Sequence, residues 1–143
     1  MSNKGLIVLS GGQDSTITAL FARKECHQLH AITFDYGQKH KIEIYSAIKV
    51  GKLLKFKSHE IIKIPNILKS TSPLVNPKTK LEKYASSEKL PAGIEPTFVP
   101  ARNILFLTIA GNRAVLLGCN LIYTGVCEED YGGYPDCRKV FID

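Results

Sequence analysis

The sequence predicts an α/β protein built on a doubly wound parallel sheet, and three observations carry that prediction. An apolar run from Gly5 to Leu9 shows no alternation, as expected of a strand covered on both faces. It runs directly into Ser10-Gly11-Gly12-Gln13-Asp14-Ser15-Thr16, two glycines for a tight turn followed by residues that favour a helix start. A second apolar run, Leu29 to Phe34, follows the helical stretch at the spacing of a strand–helix–strand unit. Such units have a right-handed crossover and parallel strands.

Composition limits the alternatives. The 143 residues are 44% hydrophobic, enough for one domain, 1–143, with a real core. No apolar run reaches membrane-spanning length, and the start Met1-Ser2-Asn3-Lys4 does not read as a signal peptide. No membrane association and a cytoplasmic location are therefore expected. Cys26, Cys119, Cys127 and Cys137 are then expected as reduced thiols, and none forms a C-x-x-C pair, so no metal ligands are assigned. The formal charge of +6 suits a phosphorylated ligand and would also suit RNA. Much of the excess is scattered between Lys39 and Lys89 rather than clustered with aromatics, the pattern of a solvated surface.

The elements follow in order. Between Gly11 and Ser15 the backbone N–H groups point at one spot, at the positive end of the following helix, which makes an anion site suited to pyrophosphate. A Gly-rich turn without a ligand is the plainer alternative. The string lacks the Gly-Lys-Ser/Thr ending of a Walker loop and the three spaced glycines of a dinucleotide fingerprint. Ser15 to Glu25 reads as a helix with Ile17, Leu20 and Phe21 facing inward. The second strand ends at Asp35, where a carboxylate could take a ribose hydroxyl or cap the next helix. Lys39 and His40 follow at the same mouth. His27, His30 and His59 have no partners at ligand spacing, and no chemistry is assigned to them. Lys41 to Lys55 is helical by Ile44, Ile48 and Leu54, and Glu60 to Ile64 gives a third strand.

The pattern then breaks. Asn66 to Glu95 is rich in proline, serine and lysine, and the stretch 65–97 is expected to be a loop or insertion near the site, a lid poorly ordered without ligand. Pro100 restricts Val99 to extended geometry, so a helix can begin only after it. Ile104 to Leu117 is apolar nearly all round, which predicts burial on more than one side. Arg102 and Asn103 fall at its N-terminus, where an arginine could clamp phosphate or a carboxylate, or pair with a nearby acid. Leu121 to Val126 reads as the fourth strand. It opens into Cys127 to Arg138, with the acids Glu128, Glu129, Asp130 and Asp136 among Tyr131, Tyr134 and two glycines. One carboxylate can accept the adjacent N–H and amino groups of a purine-like base, and a tyrosine can stack on its ring. Acids there could also hold magnesium, or be a solvated turn.

Four strings taken together carry a resemblance. They are Ser10 to Thr16, Phe34-Asp35-Tyr36-Gly37-Gln38-Lys39-His40, Thr97-Phe98-Val99-Pro100-Ala101-Arg102-Asn103, and Gly125 to Arg138. The first resembles the PP-loop of the N-type ATP pyrophosphatases, which adenylylate a carbonyl oxygen and release pyrophosphate. All four together resemble the 7-cyano-7-deazaguanine synthases, the nitrile-forming enzymes of the queuosine pathway. The resemblance implies the Rossmann-like PP-loop fold of the adenine nucleotide alpha hydrolase type. It also implies a ligase that uses ATP and Mg2+ to convert 7-carboxy-7-deazaguanine and ammonia to the nitrile through adenylylated intermediates.

By the same resemblance, Ser10, Gly11, Gly12, Gln13, Asp14, Ser15 and Thr16 hold the pyrophosphate and Asp35 contacts the nucleoside. Asp14, Lys39 and Arg102 serve the transfer step, while Glu128, Asp130, Tyr134 and Asp136 take the deazaguanine edge or metal. No stable nucleic-acid partner is implied, and a homodimer is open. Two departures stand out: Ala101 replaces the family's usual glycine, a change that matters if that backbone needs positive φ, and Gly132 replaces a serine. The family also carries a C-terminal cysteine cluster that binds zinc. Its ligands have no match here, so this chain is expected to be C-terminally truncated. Two other classes fit the first string alone. One is another adenylylating PP-loop enzyme, of the tRNA-thiolating or amidotransferase type. The other is an ATP-binding module without catalysis.

Overall fold

Strands Lys4–Val8 (β1), Gln28–Asp35 (β2), Ser58–Lys63 (β3) and Leu121–Thr124 (β4) form a sheet in the spatial order β3-β2-β1-β4, with every pairing parallel. This is a computed structural model, and it describes residues 2–38, 42–70, 72, 97–127 and 134–143. Helices Gln13–Glu25 (α1), Ile42–Leu53 (α2) and Arg102–Leu117 (α3) connect the strands, and Lys139–Ile142 (α4) forms a final helical turn.

The helices lie on both faces, because strand side chains alternate between them. Leu6, Ile32 and Phe34 point to one face, where Ala110 and Ala114 of α3 cover them. Ile7, Leu9 and Ala31 point to the other, under Ala19 of α1 and Ala47 of α2. Strand β2 is central and reads as a continuous buried run from Leu29 to Phe34, as the absence of alternation required. From β1 the chain winds outward through α1 and α2 to the edge strand β3. It then returns past β1 through α3 to β4, so the winding direction reverses between β1 and β4. In open α/β sheets that reversal leaves a crevice at the strands' carboxyl ends.

The predicted elements are all present, with ends shifted by one to a few residues. Two expectations about helix faces are overturned. Ile17, Leu20 and Phe21 of α1 face outward, and Phe21 is 60% exposed. The buried stripe is Ser15, Ala19 and Ala22. Similarly α3 is buried on one side only, through Ala110 and Ala114, while Ile104, Val115 and Leu116 are exposed. The reason is the same for both. A sheet already carrying large aliphatic side chains leaves room only for a helix that approaches on small ones, since the two layers must interdigitate at native density.

Ser70 Oγ donates to Phe98 O at 3.4 Å and Ser72 Oγ to Thr97 O at 2.9 Å, tying the start of the expected insertion to its end. Residue 71 and residues 73–96, where the lid expectation falls, lie outside the described residues. Among the described residues no helix is long and apolar enough to cross a membrane.

Candidate functional site

Leu9 follows the last residue of β1 and still donates its N–H to Ile32 O at 2.8 Å, so the chain leaves the sheet only at Ser10. Gly11 then adopts φ +88°, and Gly12, at φ −75° and ψ 172°, is the extended N-cap of α1. No side chain caps the helix at Gly12. The first intrahelical bond runs from Thr16 N–H to Gly12 O at 3.1 Å. By helix geometry the N–H groups of Gln13, Asp14 and Ser15 therefore lack an intrahelical acceptor, and they sit at the positive end of the α1 dipole.

Hydroxyls hold this turn rigid. Ser15 Oγ donates to Gly12 O at 3.1 Å and accepts the Gly11 N–H at 3.2 Å. With its one proton spent, Ser15 must accept from Ser10 Oγ across their 2.9 Å contact. Ser10 Oγ in turn accepts the Gly12 N–H at 3.2 Å, and Thr16 Oγ1 donates to Gly12 O at 2.8 Å. Two glycines let other elements close on the turn. A β-carbon on Gly11 would lie 2.1 Å from Glu43 O of α2. One on Gly125, just past β4, would lie 2.6 Å from Ser15 N. The sequence puts Gly125 within the expected fourth strand and at the head of the Gly125–Arg138 string without a steric role; a glycine among apolar strand residues was the available signal.

A cavity of about 380 Å³ opens at the switch point, with Ser10, Asp14 and Ser15 on one side and Arg102 and Asn103 on another. Its apolar wall is Phe34, Tyr36 and Phe106. The Phe34 and Phe106 rings stack at 4.1 Å with 6° between planes, and Tyr36 tilts against Phe106 at 5.6 Å. Burial raises the Tyr36 hydroxyl above its usual pKa, and the nearby Arg102 guanidinium opposes that shift. Gln38 pins this corner, accepting the Tyr36 N–H at 2.9 Å and donating to Phe34 O at 3.1 Å. Phe34, Tyr36, Gln38 and Phe106 are site residues that sequence reasoning left out. Phe106 had read as core, although it lies one turn beyond Arg102 on the same helix face.

The other expected residues divide by position. Asp35 stands at the end of β2, but its Oδ1 accepts the Gly37 N–H at 3.3 Å and the residue does not line the cavity. Tyr134 does line it, and its hydroxyl hydrogen-bonds Thr97 Oγ1. Asp136 is buried, and its Oδ2 accepts the Asn103 N–H at 3.4 Å. Asn103 Nδ2 reaches back to Asp136 O at 3.1 Å and to Cys137 Sγ at 3.8 Å. Asp136 thus serves as the acceptor at the start of α3, a helix whose N-cap, Ala101, stands at φ 60° with no side-chain cap of its own. Gln13 is exposed beside the turn. Lys39, His40, Glu128 and Asp130 lie outside the described residues. Among the described residues no three His, Cys, Asp or Glu side chains gather as metal ligands, and the four cysteines form no disulfide.

Known proteins resemble this chain closely. A family model described as queuosine biosynthesis protein QueC matches residues 4–143. A curated relative from Gloeobacter violaceus, named 7-cyano-7-deazaguanine synthase, is 55% identical over 140 residues, covering 98% of this chain and 59% of that protein. The chain thus spans about three-fifths of that relative's length. Among solved structures, one described as a predicted subunit of tRNA methyltransferase from Methanocaldococcus jannaschii superposes with a TM-score of 0.51. At 19% identity, over 92% of this chain and 56% of that one, the likeness shows the fold alone.

Proposed function

The chain belongs to the QueC family of queuosine biosynthesis proteins, and from that premise we propose that it forms the ATP-binding part of an enzyme converting 7-carboxy-7-deazaguanine and ammonia to 7-cyano-7-deazaguanine. One observation carries this reading: the unpaired N–H groups at the start of α1 and the Arg102 side chain border one cavity, with an aromatic wall between strand and helix. That is the donor set a nucleoside triphosphate needs.

The chemistry explains why ATP is required. A carboxylate resists ammonia because oxide is a poor leaving group. Attack of a carboxylate oxygen on the α-phosphorus forms an acyl adenylate and releases pyrophosphate. Ammonia displaces AMP to give the amide. The amide oxygen is adenylylated in turn by a second ATP, and loss of AMP with two protons leaves the nitrile.

Each transfer develops negative charge on a leaving pyrophosphate, and preorganised donors aimed at that charge lower the barrier. We assign the pyrophosphate to the turn from Ser10 to Thr16, whose hydroxyl bonds keep its shape before any ligand arrives. Arg102, which borders the cavity, is assigned to stabilise charge at the transferring phosphorus, and Lys39 is assigned to the same step. Magnesium would accompany the phosphates and neutralise them, with the Asp14 and Glu43 carboxylates at the cavity wall available to it. Phe34 and Phe106 offer a flat apolar face for a base, and Tyr134, Glu128 and Asp130 are assigned to the deazaguanine. Asp136 acts through Asn103, and Asp35 through the turn it caps.

The test is incubation of the complete protein with 7-carboxy-7-deazaguanine, ammonium and Mg-ATP, following AMP and the nitrile by mass spectrometry. Nitrile appearing with AMP is expected. AMP without nitrile would point to a different carboxylate or amide substrate, and neither product would reduce the site to nucleotide binding.

A further inference from the structure

The carbonyl of Leu9 is the last backbone group before the turn that starts at Ser10, and a side chain holds it. Thr33 Oγ1 donates to Leu9 O at 2.6 Å and lies 2.8 Å from His59 Nε2. Thr33 is 1% exposed. A hydroxyl has one proton, and a carbonyl can only accept, so Thr33 gives its proton to Leu9. The Thr33 oxygen then accepts, and His59 must carry its proton on Nε2. Both Leu9 backbone groups are thereby held by β2, the N–H through Ile32 O and the carbonyl through the Thr33 side chain.

The fold explains how these residues meet. In the β2–β3 register His59 pairs with Ala31 and Thr33 with Ile61, so Thr33 and His59 are diagonal neighbours on one face of the sheet. Ala31 belongs to the cluster under α1 and α2, which places the pair on that face too. Helix α2 lies over the ring: a β-carbon on Gly51 would come within 2.8 Å of His59 Nδ1. The same helix presents the Glu43 carbonyl to Gly11. One helix therefore bears on the turn near its first residues and on the imidazole near its last.

We infer that Thr33 and His59 are positioning residues for the phosphate-binding turn, a relay in which the His59 Nε2–H orients the Thr33 hydroxyl onto the Leu9 carbonyl. Neither touches the cavity. The inference rests on the nucleotide role given to that turn above. A turn whose donors must meet phosphate oxygens within tenths of an ångström needs its first anchor fixed, and a buried, doubly bonded hydroxyl does that without reaching the ligand.

The decisive variant is Thr33→Val, which keeps the branched shape and strand preference and removes the hydroxyl, both the donor to the Leu9 carbonyl and the acceptor of the His59 Nε2–H. We expect the KM for ATP to rise about tenfold while the KM values for 7-carboxy-7-deazaguanine and ammonia stay within about twofold. Thr33→Ser, which restores the proton, should return the ATP value most of the way. An unchanged KM for ATP in the valine variant, an equal rise for every substrate, or no rescue by serine would each overturn the relay. Nitrogen-15 NMR of the wild-type imidazole gives a second reading independent of turnover. The His59 proton is expected on Nε2; a proton on Nδ1 would force Thr33 to donate to His59 and would also overturn it. Should the wild-type protein turn over no ATP, the proposed function fails by itself, and the tautomer still decides the relay.

Discussion

Gly11 and Glu43 meet backbone to backbone: a β-carbon built on Gly11 would stand 2.1 Å from the Glu43 carbonyl oxygen, while Gly11 itself holds φ +88°. Two independent constraints, one steric and one conformational, require glycine at the same place. Gly11→Ala is therefore expected to shift the turn away from α2, at about 1–2 kcal/mol for the backbone conformation alone. Thermal unfolding should show a lower Tm and an ATP titration much weaker binding. Affinity equal to wild type would mean that the turn is not the nucleotide site.

Ala101 is the reverse case. Its φ of 60° is left-handed, where a β-carbon is strained. The positive φ that would make the family's glycine matter is thus present, and alanine bears it. Ala101→Gly should raise stability by about 1 kcal/mol, after the extra freedom glycine gains in the unfolded chain is set against the relieved strain. Urea unfolding midpoints measure it, and a lower midpoint would contradict the left-handed cap.

Asp136 is buried against Asn103. Asp136→Ala leaves the Asn103 N–H without that acceptor, a loss of about 1–3 kcal/mol. Because Asn103 adjoins Arg102 in the first turn of α3, affinity for ATP and for the deazaguanine should fall together. Selective loss of deazaguanine binding would give Asp136 direct contact with the base.

Arg102 borders the cavity, and its charge acts on the Tyr36 hydroxyl. Lysine keeps the charge and loses the planar fork, so Arg102→Lys should lower the rate of AMP formation about a hundredfold with the fold unchanged. Single-turnover measurement with radiolabelled ATP would register this, and a rate within severalfold of wild type would remove Arg102 from the transfer step.

His30 and His59 both hold imidazoles below the usual 6.5: burial lowers both, and Lys4 and Lys57 add to it at His30. A lowered folded pKa means the unfolded chain binds more protons as the medium acidifies. The stability these groups contribute is thus full above 6.5 and is lost as pH falls from there through their folded values. Urea midpoints should drop between about pH 7.5 and pH 5, and the His30→Asn, His59→Asn double variant should show a smaller drop. An equal drop in the variant would assign the acid sensitivity to other groups.

Much was legible without coordinates, and the reason is locality. Unbroken apolar runs, a glycine turn and helix-starting residues are each decided within a few positions, so the alternation of strands and helices and the place of the Ser10–Thr16 turn could be read directly. The parallel sheet followed from the short crossovers, which admit one handedness. Which face of each helix is buried was not local. Ile17, Leu20 and Phe21 look like a core stripe, yet Ser15, Ala19 and Ala22 occupy that place, because the room left above the sheet is set by side chains on other strands. Nor did the chain announce that Asp136 would turn to Asn103, that Phe34 and Phe106 would stack, or that Thr33 would bridge His59 to Leu9. These partners come from separate elements, and only the packing of β1, β2, β3 and α3 around one switch point brings them within hydrogen-bond and ring-contact distance.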